Sequence, residues 1–127
     1  MLSDHAPMPV LAVTDMDRAK EFYEGTLGFT AEEPFPGALT YTAGGVPIFV
    51  YQSSYAGTNR ATAISFIVPS DVFDREVADL RSRGVRFETY DMPEVVFHDG
   101  VADMDGMRSV WFEDPFGNII NVGTDGS

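Results

Sequence analysis

Val10, Leu11, Ala12 and Val13 make a short unbroken apolar run, the length and content of a buried strand. Polar residues follow at once. Thr14 and Asp17 have the spacing of a capping box, and Asp15 and Asp17 suit the positive end of a helix. Ala19, Phe22, Tyr23 and Leu27 then recur at i, i+3, i+4 and i+8, one helical stripe that Gly28 ends. Beyond Gly28 the pattern predicts strands over residues 39–43 and 46–52, joined by a turn at Gly44 and Gly45.

The second half repeats this order. Residues 63–68 read as an apolar strand, Ser70 as a helix cap, and Phe73, Val77 and Leu80 as a buried stripe closed by Gly84. Strands are predicted over residues 85–90, 95–97, 109–112 and 118–122. Val13 and Val68 are 55 positions apart (68 − 13), Gly28 and Gly84 56 (84 − 28), and Gly45 and Gly117 precede the two last strands. The period is too long, and the copies too few, for a solenoid. The pattern predicts an α+β chain of tandem βαβββ modules in a single domain over residues 1–127. Module one covers about residues 8–52, a polar linker about 53–60, and module two about 61–124. Each half leaves a sheet face to cover, so the modules are expected to pack together or across a dimer.

Composition narrows the function classes. A chain of 127 residues buries roughly two thirds of its unfolded surface, so it needs no metal or disulfide to fold. It has no cysteine, which removes thiolate ligands, disulfides and cysteine nucleophiles. Twenty acidic residues against eight basic ones give a formal net charge of −12, which disfavours a nucleic-acid partner. No stretch approaches the ~20 apolar residues of a membrane span. Residues 1–9 lack the basic start and apolar core of a secretion signal, so a soluble cytoplasmic protein is expected.

Two motifs carry a resemblance. VTDMDRAKEFYEGTLGF at residues 13–29 resembles the first strand–helix unit of the glyoxalase/bleomycin-resistance/dioxygenase (vicinal oxygen chelate) superfamily. WFEDPFGNIINV at residues 111–122 resembles its last hairpin. With the duplication, the likeness runs from about Met8 to Val122. The Asp114–Gly117 turn explains itself structurally, through side-chain hydrogen bonds, a proline-set φ and a glycine tolerant of φ > 0.

The resemblance implies a cup-shaped mixed sheet with four inward positions that hold a metal in the superfamily's enzymes. Carried onto this chain they fall at Met8, Phe49, Ala63 and Asn121. Three of these offer no hard donor, and one amide cannot hold a divalent ion alone. Neither metal nor other cofactor is therefore expected, and metal-dependent glyoxalase, dioxygenase or fosfomycin-transferase chemistry loses its Lewis acid.

Other residues are then the candidates. Alternation from the lost ligand positions selects Tyr51 and Ser65 for the cup. Likeness to fosfomycin-resistance enzymes adds Ser109 and Trp111 and turns Val110 and Phe112 toward the helix side. Met8, Phe49, Tyr51, Ala63, Ser65, Ser109, Trp111 and Asn121 would line a largely apolar pocket for a small organic molecule, aromatic or cationic. The resemblance implies a metal-free binding protein that sequesters an antibiotic or toxic metabolite, acting as a homodimer. The alternative is a lyase or isomerase with His98 as acid–base group, or a new metal site among Glu94, His98, Asp99, Asp103 and Asp105 in a loop over the cup.

Overall fold

A strand, a helix and further strands follow one another twice in the computed structural model, which describes residues 1–32, 37–93 and 95–124. The chain divides into two compact units, Met1–Thr58 and Asn59–Ser127, with the boundary inside the predicted linker.

In the first unit, β1 (Val10–Val13) leads through Asp15 into α1 (Met16–Lys20). The cap is Asp15 rather than a Thr14–Asp17 box: its extended backbone lets the carboxylate accept from the amides of Asp17 (3.0 Å) and Arg18 (3.1 Å). The helix then widens into a π-helical stretch, Glu21–Thr26, and the Leu27 amide reaches back to the Phe22 carbonyl. β2 (Thr30–Ala31), β3 (Ala38–Ala43) and β4 (Val46–Gln52) complete a sheet ordered β1-β4-β3-β2, with β1 and β4 parallel. One face carries Leu11, Val13, Leu39, Tyr41, Ile48 and Val50, all buried. Tyr23 from the helix stands against Tyr41 with ring centres 5.8 Å apart. The Tyr41 hydroxyl donates to Glu24 at 3.0 Å. Burial first, then this bond and the Glu24 charge, push the phenol well above its usual range.

In the second unit, β5 (Thr62–Val68) is followed by α2 (Ser70–Ser82). Pro69 occupies the cap position and Ser70 is already helical, so no side chain caps this helix. β6 (Val96–His98), β7 (Val101–Met104), β8 (Met107–Glu113) and β9 (Ile119–Thr124) complete a sheet ordered β5-β9-β8-β7-β6, with β5 and β9 parallel. Phe73, Val77 and Leu80 of α2 are buried, as are Val110, Phe112, Ile120 and Val122 of the sheet. Arg108 binds this helix to the sheet: its guanidinium lies 2.6 Å from Asp74 and 4.8 Å above the Phe73 ring centre.

The second module departs from the sequence reading twice. Residues 85–90 form no strand of their own, only a bridge between Glu88 and Trp111. The strand read at 95–97 is present one residue later as β6, but the region around His98, otherwise read as an acidic loop, is two tight hairpins. Asp99-Gly100 joins β6 to β7 and Asp105-Gly106 joins β7 to β8, with φ of 52° and 80° in the first pair and 60° and 87° in the second. Two successive positive φ values match the right-handed twist of the strands they join, and Asp-Gly adopts them readily.

Candidate ligand site on the second sheet

The Asp114 turn sets the geometry of the second sheet's open face. The buried Asp114 carboxylate accepts from the amides of Phe116 and Asn118, both at 2.8 Å, and from the Asn118 side chain at 2.7 Å. The Asp114 amide returns a bond to the Asn118 carbonyl. This fixed turn sets the β8–β9 register so that Trp111 pairs with Asn121, which in turn pairs with Ser65 on β5. Residues aligned across neighbouring strands share a face. Ser65, Asn121 and Trp111 therefore form one row on the face away from Val110 and Phe112.

Asn121 is nearly buried, and its amide nitrogen donates to Ser109 Oγ (3.2 Å) and the Val110 carbonyl (3.1 Å). Ser109 pairs with Gly123, where a Cβ would stand only 2.8 Å from Ser109 Oγ. The glycine makes room for the hydroxyl.

Trp111 stands at the centre. Tyr90 meets its ring edge-on at 6.0 Å, and Phe97 lies 6.2 Å away. Its indole nitrogen donates to Thr62 Oγ1 at 3.2 Å. A cavity of about 220 Å³ opens here, lined by Arg60, Thr62, Tyr90, Met92, Trp111 and Ile119, among others. Burial first, then the charges of Glu113 and Glu88, push the Tyr90 phenol up, so its hydroxyl keeps its proton.

Of the residues singled out from the sequence, Ser65, Ser109, Trp111 and Asn121 come together on this face. Ala63 is exposed at a register shift between Thr62 and Ile64. That bulge places Thr62 opposite Ile119 and within reach of Trp111. Strict alternation would have turned Thr62 away, and so it was missed. Arg60, Tyr90 and Met92 were missed too, because they lie outside regular strands. In the first unit, Phe49 and Tyr51 stack 6.1 Å apart on the open face of β4, and Met8 stands exposed ahead of β1.

His98 is not brought to the Trp111 face. Phe97 touches Trp111, so alternation in β6 directs the exposed His98 to the opposite face. Asp99 pairs with Arg81 at 3.5 Å, and the Asp103 carboxylate accepts from the Gly106 amide. Glu94 lies outside the described residues. Among the described residues no three His, Cys, Asp or Glu side chains gather as a cation would require. At the four implied metal positions stand a thioether, a phenyl ring, a methyl group and an amide already donating to two oxygens. This set does not fit a divalent ion, which needs nitrogen or oxygen donors on several sides.

The model of the Glyoxalase/Bleomycin resistance protein/Dioxygenase superfamily matches residues 4–122, and the chain belongs to that superfamily. Solved structures share the fold. The fosfomycin resistance protein FosX from Listeria monocytogenes is 15% identical with a TM-score of 0.71, over 94% of this chain and 92% of that one. A glyoxalase/bleomycin resistance protein/dioxygenase from Alicyclobacillus acidocaldarius is 16% identical with a TM-score of 0.71, covering 95% and 91%. An integron cassette protein from the mobile metagenome of V. cholerae is 26% identical with a TM-score of 0.63, covering 95% and 94%. No curated protein matches the sequence.

Proposed function

We propose that this chain is a metal-free small-molecule binding protein of the superfamily, holding its ligand against Trp111 on the open face of the second sheet. The observation that carries this reading is the cavity itself: aromatic walls from Trp111 and Tyr90 with a few polar groups between them. Mostly apolar concavities with sparse, placed polar groups are what small ligands occupy. Resistance proteins share this fold, and the proposed role is sequestration of an antibiotic or toxic metabolite. The acid–base alternative gains no support from His98, which faces away from the cavity.

The donor set makes the test direct. Zn, Ni, Mn, Fe(II) and Mg are expected to leave the melting temperature of purified protein unchanged, while a panel of small aromatic compounds perturbs Trp111 fluorescence. A clear metal-induced rise in melting temperature, with one ion bound per chain, would overturn the metal-free reading.

A homodimer is proposed as well. Val10 (53%) and Tyr51 (38%) stand exposed on the first sheet and Ile67 (60%) on the second, apolar side chains that a partner subunit would cover. Sedimentation equilibrium at micromolar concentration is expected to return twice the chain mass of 13.9 kDa. A monomer at every concentration tested would refute the dimer and leave the cavity argument standing.

A further inference from the structure

The polar side chains lining the Trp111 cavity are one cation, Arg60, and two hydroxyls, Thr62 and Tyr90, with no carboxylate among them. Arg60 brings a guanidinium with five N–H groups and no acceptor. In a chain of twenty acidic and eight basic residues, no carboxylate among the described residues pairs with it. Arg81, Arg83 and Arg108 have carboxylate partners; among the described residues Arg18, Arg75 and Arg86 have none either, but Arg60 is the arginine that lines the cavity. Thr62 uses a lone pair of its hydroxyl to accept from the Trp111 indole, which leaves its own proton to donate elsewhere. Tyr90 keeps its phenolic proton and can donate it to a ligand. Between these donors lie only apolar groups: the Trp111 and Tyr90 rings, Met92 and Ile119.

A cavity walled by rings and edged by a guanidinium and two hydroxyls, with no carboxylate in its lining, suits a flat apolar body with an anionic, acceptor-rich end. The register adds direction. Thr62 pairs with Ile119, and Ile119 with Glu113, so Arg60 and Thr62 lie at the β5 side and the acidic Glu113 at the β8 side. An anionic head is therefore attracted to one end and repelled from the other. At about 220 Å³ the space falls below the ~300–1,000 Å³ of pockets for drug-sized ligands, so one ring fills it.

Resting on the binding reading above, we propose that the ligand is a small aromatic carboxylate, its ring against Trp111 and Tyr90 and its carboxylate toward Arg60 and Thr62. A carboxylate at a guanidinium makes charge-assisted bonds about twice as strong as neutral ones. Arg60 thereby selects the head group, and Trp111 the ring.

Three probes on one scaffold test this: phenylacetate, phenylacetamide and phenethylamine, with anionic, neutral and cationic ends. Trp111 is the chain's one tryptophan and lines the cavity, so its fluorescence reports occupancy. Phenylacetate is expected to bind about tenfold more tightly than the amide, and the amine more weakly than either. Arg60→Gln, at an exposed position that leaves the fold intact, is expected to bring the acid down to the amide's affinity and leave the amide within about twofold. Equal binding of acid and amide to the parent, preference for the amine, or an unchanged preference in R60Q would each overturn the carboxylate assignment alone. Silence from all three probes, in fluorescence and in melting temperature, would overturn the binding reading with it.

Discussion

Phe112→Ala destabilises the protein by about 3–5 kcal/mol, while Trp111→Ala, one residue earlier on the same strand, costs about 1–2 kcal/mol and removes ligand binding. The difference follows from strand alternation. Phe112 is almost wholly buried, on the face with Val110, and meets Phe87 with ring centres 6.3 Å apart. Truncating it leaves a cavity that the surrounding strands and α2 cannot close, and lost dispersion contacts add to the lost transfer energy. Trp111 is only half-buried, on the opposite face, and holds Thr62, Tyr90 and Phe97 around an open cavity. Urea denaturation separates the two effects, with a shift in midpoint at unchanged slope. Calorimetric titration with phenylacetate then reads binding, since W111A lacks the chain's one tryptophan and with it the reporter in the cavity. A Phe112→Ala variant as stable as the parent would show that this face is not the core. A Trp111→Ala variant with parental affinity would move the site elsewhere.

Asp114→Ala is the second severe substitution, at about 3–4 kcal/mol. The carboxylate satisfies two backbone amides and one side-chain amide, and alanine offers none of them an acceptor. Asn118 is itself buried, so its stranded donors have little water to turn to. Asp114→Asn separates acceptor geometry from charge. Its carbonyl can still serve the Phe116 and Asn118 amides, while its NH₂ opposes the NH₂ of Asn118. A cost of about 1–2 kcal/mol is expected for D114N, roughly half that of the alanine variant. The turn also holds the Trp111–Asn121 register, so D114A weakens phenylacetate binding at urea concentrations where the parent is still fully folded. A D114A variant within about 0.5 kcal/mol of the parent would remove the turn from this role.

The pattern of apolar and polar residues was enough to find β1, β4, β5, α2, β8 and β9 within a residue or two of their bounds, and to see that the chain repeats. Those elements are long or regular enough for period to speak, and their inward residues are the ones buried: Leu11, Val13 and Val50 in one unit, Phe73, Val110 and Phe112 in the other. The opposite facing of Trp111 and Phe112 was legible by likeness to relatives. The β6–β7–β8 hairpins could have been read as well. Two Asp-Gly pairs six residues apart (105 − 99) are a strong local signal, but the density of carboxylates there suggested a loop beyond the strand read at 95–97.

Arg60, Thr62, Tyr90 and Met92 could not be read in the same way. Thr62 enters the site through a bulge, and a bulge inverts facing without leaving a mark in the hydrophobic pattern. Tyr90 and Met92 sit in an irregular segment whose backbone meets the sheet at the Glu88–Trp111 bridge, and Arg60 comes from the linker. Periodicity reports which side of an element meets the core. The meeting of irregular segments over one tryptophan depends on chain path and register, and those are fixed by contacts between residues distant in sequence, such as Thr62 and Trp111, 49 positions apart.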